Sequence, residues 1–178
     1  MSNEEGAKDI EKHNKILIVD DEPALLQQLQ EILDFHKISA VIAESVQKGF
    51  ELLDSDQFDI LICDIRLPGM SGLNFLEAIR HKGILTPVVF YSGFYETDML
   101  KEAMKLGAFD FIEKPISEKK LLEVIAGATE FSVLQRKIAE VKDQNDSKSK
   151  KVIKECEQKI NQLRPRKFAA MTPHREEQ

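Results

Sequence analysis

Short, mostly apolar runs alternate five times with segments whose apolar residues recur every three or four positions. The first run, Ile16-Leu17-Ile18-Val19, has no polar position, as a strand buried on both faces requires. It stops at Asp20-Asp21-Glu22-Pro23, and Pro23 suits the first turn of a helix carrying Leu25, Leu26, Leu29, Ile32 and Leu33. Ile38 to Ala43 gives a second strand, and Ser45 is placed to cap a helix through Val46, Phe50 and Leu53. Phe58 to Cys63 gives a third strand, ending at Asp64; Leu67 to Gly72 is a Pro- and Gly-marked loop before a helix with Leu73, Leu76 and Ile79, stopped at Gly83. Pro87 to Tyr91 leads to Ser92-Gly93 and a helix with Met99, Leu100, Ala103, Met104 and Leu106, stopped at Gly107. Phe109 to Glu113 leads to Lys114-Pro115, then to a helix capped by Ser117 and carrying Leu121, Val124, Ile125 and Ala128.

This alternation predicts an α/β fold: a doubly wound, five-stranded parallel sheet with helices on both faces and right-handed crossovers. In such sheets the site lies beyond the carboxyl ends of the strands, where strand order switches. Those ends carry Asp20 and Asp21, Asp64, Ser92 and Lys114. If the order is the flavodoxin-like 2-1-3-4-5, strands one and three are neighbours and three carboxylates share one crevice. Carboxylates so close repel, and a hard divalent cation relieves them. With no His or Cys placed to help, the donor set predicts Mg²⁺ rather than zinc. A metal-held carboxylate can attack phosphorus. Lys114 and Ser92 can then neutralise or hydrogen-bond phosphoryl oxygens.

Four stretches carry a resemblance. They are Ile18-Val19-Asp20-Asp21-Glu22-Pro23, Ile62 through Gly72, Ser92-Gly93, and Phe109 through Pro115. Together they resemble the receiver domain of two-component response regulators, over about residues 14–135. The resemblance implies that Asp64 is the phosphoacceptor. It implies that Asp21 binds Mg²⁺ directly, that Asp20 helps mainly through water, and that the backbone carbonyl of Arg66 completes the ligands. By the same likeness Ser92 turns toward the phosphoryl group, Phe111 is the aromatic switch residue, Lys114 is the site lysine, and the Lys114–Pro115 bond is cis. Phe109 competes with Phe111, and only the spacing to Lys114 selects Phe111. The implied function is a phosphorylation-dependent signalling switch, not a classical enzyme. Its donor would be a histidine kinase or phosphotransfer protein, and it would act on an unknown downstream protein through the surface of helix 4, strand 5 and helix 5.

Other chemistries fit less well. A phosphohydrolase with an aspartate nucleophile usually has an acid two residues on, where this chain has Arg66. A flavin-binding module needs a hydroxyl-rich phosphate loop where Asp20-Asp21-Glu22 stands. A degenerate receiver serving only as a scaffold would not need the full set of site residues. His13, His36, His81 and His174 are scattered at polar positions.

Charge divides the 178-residue chain. Residues 1–135 hold 13 basic and 24 acidic side chains, net −11; residues 136–178 hold 12 and 7, net +5. Residues 1–14 read as a disordered lead-in without the features of a signal peptide, 15–135 as the receiver domain, and 136–178 as a helical, basic extension with no recognisable output domain. No apolar run approaches the roughly 18 residues that span a bilayer. Neither Cys63 nor Cys156 has disulfide or zinc spacing, so a reducing cytoplasm is expected. Helix five is expected to run past the domain through Phe131, Leu134, Ile138 and Val141, with a break over Lys142 to Lys151. Ile153, Cys156, Ile160 and Leu163 then mark one helix face, ended by Pro165. Three readings stand for this tail: a solvated basic segment, a short coiled coil pairing two copies into a homodimer, or the lead into a downstream effector. No nucleic-acid motif is recognisable in it.

Overall fold

The computed structural model describes residues 15–93, 97–144 and 146–163. The expected lead-in, Pro165 and the last dozen residues lie outside that range. Five strands, β1 (Lys15–Val19), β2 (Ser39–Ala43), β3 (Ile60–Asp64), β4 (Val88–Ser92) and β5 (Asp110–Glu113), form one sheet. Its order is β2-β1-β3-β4-β5, with every pair parallel, as expected. The central strands β3 and β4 are buried at every position, whereas the edge strand β2 is only half-buried, which explains its weaker apolar pattern.

The helices are α1 (Pro23–Phe35), α2 (Val46–Ser55), α3 (Gly72–His81), α4 (Thr97–Lys105), α5 (Glu118–Val141) and α6 (Ser147–Leu163). Pro23 opens α1, Ser45 caps α2 by accepting from Lys48 N, and Ser117 caps α5 by accepting from Lys120 N. Gly83 and Gly107 take φ of 78° and 83° just past α3 and α4. These left-handed conformations suit a residue without Cβ and end each helix.

The sheet separates two apolar clusters. One packs Leu17, Val19, Leu61, Cys63, Val88, Phe90 and Phe111 against α2, α3 and α4. The other packs Ile16, Ile18, Ile60, Ile62, Val89, Tyr91 and Ile112 against α1 and α5. Alternate residues of each strand feed opposite clusters because successive side chains point to opposite faces. Each fully buried Ile, Leu or Val contributes about 1.5–3 kcal/mol.

α5 does run on past the domain, to Val141. The expected break is shorter than the polar composition suggested, lying between Val141 and Ser147. Lysine is a good helix former, and Asp146 accepts from Ser149 N at 2.8 Å in the manner of an N-cap, so the Ser- and Lys-rich stretch is helical. α6 folds back against α5, burying Ser149 and Cys156, while Ile160 and Leu163 join the α1/α5 cluster. The apolar face of this helix thus lies against the same chain. Arg136 of α5 also reaches down to pair with buried Asp59 at the foot of β3.

Candidate functional site

The carboxyl ends of β1, β3, β4 and β5 bring Asp20, Asp64, Ser92 and Lys114 to one rim of the sheet. Asp20 follows β1 and is fully buried; its own N–H donates to Ala43 O, closing the end of β2 onto it. Asp21 beside it is exposed. Asp64 ends β3, buried at 6 % exposure. One carboxylate oxygen from each of Asp20, Asp21 and Asp64 lies within 4.8 Å of the others.

Both oxygens of Asp20 are engaged. Oδ1 accepts from Glu22 N at 2.6 Å. Oδ2 accepts from the Tyr91 hydroxyl at 2.6 Å and from Lys114 Nζ at 3.1 Å. The Lys114 ammonium also lies 3.2 Å from Glu22 Oε1, 3.6 Å from Asp64 Oδ2 and 4.6 Å from the centre of the Tyr91 ring. Asp64 Oδ1 accepts from Ile65 N at 2.8 Å, and the Arg66 backbone N–H also donates to this carboxylate. The Arg66 side chain points out to solvent.

These contacts set the electrostatics. Burial pushes the Asp64 carboxyl above its ordinary value, and the Asp20 charge pushes the same way, against Lys114 and the two backbone N–H groups. For Lys114, burial works against the charged form. The Asp20 hydrogen bond and the charges of Asp64 and Asp20 outweigh it, so the ammonium is held more firmly protonated than usual. Burial and the Asp20 bond drive the Tyr91 hydroxyl well up, so it is a donor throughout the physiological range.

Ser92 ends β4, is buried, and sits opposite Glu113 in register; its carbonyl accepts from Lys114 N at 3.0 Å. Phe111 is opposite Phe90 and buried in the α2–α4 cluster. Phe109 lies in the other cluster, 5.2 Å from Phe131, so the two phenylalanines part onto opposite faces. Only Phe111 shares the face of Ser92 by strand alternation. The Lys114–Pro115 bond is cis, as the resemblance implied.

Gly72 has a role that loop composition alone did not disclose. A Cβ there would stand 2.2 Å from the Asp64 carbonyl oxygen, while Gly72 N donates to Ile65 O at 2.8 Å. The start of α3 therefore presses on the backbone of Asp64, and only glycine permits the approach. Tyr91 and Glu22 were also not read as site residues. A tyrosine in an otherwise apolar strand is a signal for the first, because a buried hydroxyl needs a partner.

The model of the response regulator receiver domain matches residues 16–126, more than half of the chain. The chain belongs to this family. A receiver is thus a phosphoaspartate-signalling module fed by histidine kinases. Response regulator protein PilR of Pseudomonas aeruginosa is 38% identical over 114 residues, covering 64% of this chain and 26% of that protein. Response regulator protein TodT of Pseudomonas putida is 31% identical over 140 residues, covering 76% of this chain and 62% of that protein. The chain thus spans about a quarter of one relative and under two thirds of the other. Among solved structures, a CheY-like response regulator receiver domain protein from Methanospirillum hungatei superposes with a TM-score of 0.66 at 27% identity, covering 69% of this chain and 98% of that one. A receiver domain protein from Clostridium thermocellum gives 0.64 at 28%, covering 68% and 98%.

The receiver's acidic rim fits a hard cation. Its donors are carboxylate oxygens, one from each of three aspartates, that lie within 4.8 Å of one another. Among the described residues no helix is long and apolar enough to cross a membrane.

Proposed function

We propose that this chain is a Mg²⁺-dependent phosphorylation switch whose phosphoacceptor is Asp64. The observation that carries the reading is the convergence of Asp20, Asp21 and Asp64 within 4.8 Å, with Lys114 Nζ 3.6 Å from Asp64. Asp21, Asp64 and the Arg66 carbonyl would hold the ion, with Asp20 assisting through water. Bound there, Mg²⁺ supplies positive charge for the phosphoryl oxygens.

The chain's own groups do the rest. An Asp64 carboxylate oxygen attacks phosphorus; the new O–P bond forms as the bond from phosphorus to the donor's nitrogen or oxygen breaks. The leaving group keeps that electron pair: an imidazole nitrogen takes a proton from water, whereas a carboxylate such as acetate departs as the anion. Lys114 follows the charge onto the transferred phosphoryl group, and the Ser92 hydroxyl turns to donate to another of its oxygens. The chain thus catalyses its own phosphorylation and dephosphorylation without being a classical enzyme. Movement of Ser92 frees space on the face it shares with Phe111, and Phe111 shifts with the surface of α4, β5 and α5. Residues 15–135 carry this switch and 136–178 the basic extension. The setting is the cytoplasm, the donor a histidine kinase or phosphotransfer protein, and the target a downstream protein.

Intact mass after incubation with Mg²⁺ and acetyl phosphate tests the reading. One phosphoryl group on the parent and none on Asp64→Asn is the expected result. No addition to the parent would overturn it.

A further inference from the structure

The Tyr91 hydroxyl is a buried side-chain partner of the acidic rim that the phosphorylation chemistry leaves without a task. It comes from inside β4, 71 residues along the chain from Asp20. Strand alternation accounts for the meeting. Tyr91 and Asp20 have the parity that turns both toward the α1/α5 face, whereas Ser92 has the opposite parity. The ring is fully buried, so the hydroxyl could not reach water and had to find an acceptor inside.

Asp20 has about four acceptor positions on its two oxygens. This chain fills three: Glu22 N on Oδ1, and Tyr91 with Lys114 on Oδ2. The terminal torsion of an aspartate is broad and nearly two-fold, so a carboxylate held at one oxygen alone turns easily. Held at both, it presents one remaining acceptor position in one direction. The same tyrosine also seats Lys114, whose ammonium lies over the ring face at 4.6 Å. One side chain therefore touches both the carboxylate and the cation that flank Asp64.

We propose that Tyr91 is a positioning residue of the receiver site: its hydroxyl fixes the Asp20 carboxylate for Mg²⁺ or its bound water, and its ring seats Lys114. The proposal rests on the phosphorylation-switch reading. It assigns the two parts of the side chain separable effects. Partners that orient a metal's ligands commonly change affinity by about 10–100-fold when removed. Asp20 acts mainly through water, so the lower end of that range is expected for the hydroxyl.

Tyr91→Phe keeps the ring and removes only the hydroxyl. Calorimetric titration of the full chain with Mg²⁺ should give a Kd raised about tenfold. At saturating Mg²⁺, phosphoryl uptake from acetyl phosphate should stay within about threefold of the parent, because Lys114 keeps its seat. In the metal-free protein, the Glu22 amide resonance should shift, since it reports the orientation of Asp20, while amides at the foot of the sheet stay in place. Tyr91→Leu removes the ring as well and should lower uptake even at saturating Mg²⁺. A Mg²⁺ Kd within twofold of the parent for a folded Tyr91→Phe would overturn the proposal alone. Loss of the fold in Tyr91→Phe would overturn it too, by making the bond one of stability. A parent that binds no Mg²⁺ would overturn the phosphorylation reading and this proposal with it.

Discussion

Lys114 stands closer to Asp20, at 3.1 Å, than to Asp64, at 3.6 Å. The lysine is therefore shared, and its nearest anchor is not Asp64, the proposed phosphoacceptor. On the proposed reading it offsets part of the rim's charge before phosphorylation, and afterwards the phosphoryl oxygens would offer it a stronger partner. Lys114→Gln is expected to slow phosphoryl uptake from acetyl phosphate by about a hundredfold, the usual cost of losing a donor aimed at developing charge. A mass-spectrometric time course reads it, and an unchanged rate would remove Lys114 from the chemistry.

Asp64→Asn is expected to melt above the parent in Mg²⁺-free buffer at neutral pH. Burial, helped by the Asp20 charge, raises the folded-state value of the Asp64 carboxyl above its unfolded value. Ionised Asp64 thus costs folding energy at pH above the folded value, and the cost disappears as pH falls through it and the group takes up a proton. The gap in Tm should close on acidification. Added Mg²⁺ should reverse the order, because only the parent keeps the ligand. Thermal melts over a pH series check the sign, and a gap that widens in acid would contradict it.

Gly72→Ala should cost about 1–3 kcal/mol, as overpacking against a backbone that cannot retreat does. It should also slow phosphoryl uptake, because the displaced atom is the carbonyl of Asp64. Gly69→Ala is the comparison. That residue has φ of 80° with nothing within 4 Å of the added Cβ, so its cost is backbone strain of about 1–2 kcal/mol. Uptake there should hold. Urea unfolding together with the mass assay separates the two.

Ile160→Asp should release α6 while leaving the sheet intact. The residue joins the α1/α5 cluster, and losing that burial costs about 2 kcal/mol locally. Amide exchange along α6 should then rise roughly thirtyfold, with β1 and β3 amides unchanged. Equal acceleration throughout would mean that α6 unfolds only with the whole domain.

Much of this was legible in the strand ends. Unbroken apolar runs stopping at Asp20, Asp64 and Ser92 gave both the sheet and its functional rim. Ser45 and Ser117 act as the caps their positions suggested, and Gly83 and Gly107 end helices. What stayed hidden depends on distance along the chain. The Tyr91–Asp20 bond joins strands that are not neighbours in the sheet, and the pressure of Gly72 on Asp64 arises only when the loop folds back onto the strand end, where a Cβ would stand 2.2 Å from the Asp64 carbonyl oxygen. The stripe from Ile153 to Leu163 said that a face needed covering. Periodicity alone could not say whether α5 or a second copy would cover it.

The separation of the core into two layers sets how change in one part of the molecule is felt in the other. Among the described residues no side chain belongs to both clusters, and the sheet between them is one residue thick. A substitution that alters volume around Leu29 or Leu121 has no shared neighbour with one around Phe75 or Ala103. Paired substitutions across the sheet are therefore expected to lie closer to additivity in stability than pairs within a layer. The rim is the exception, because Gly72 at the start of α3 presses on the backbone of Asp64. Within the α2–α4 layer, residues remote from Gly72 and Phe111 are consequently free to be resculpted for a different listener without moving the carboxylates of the rim.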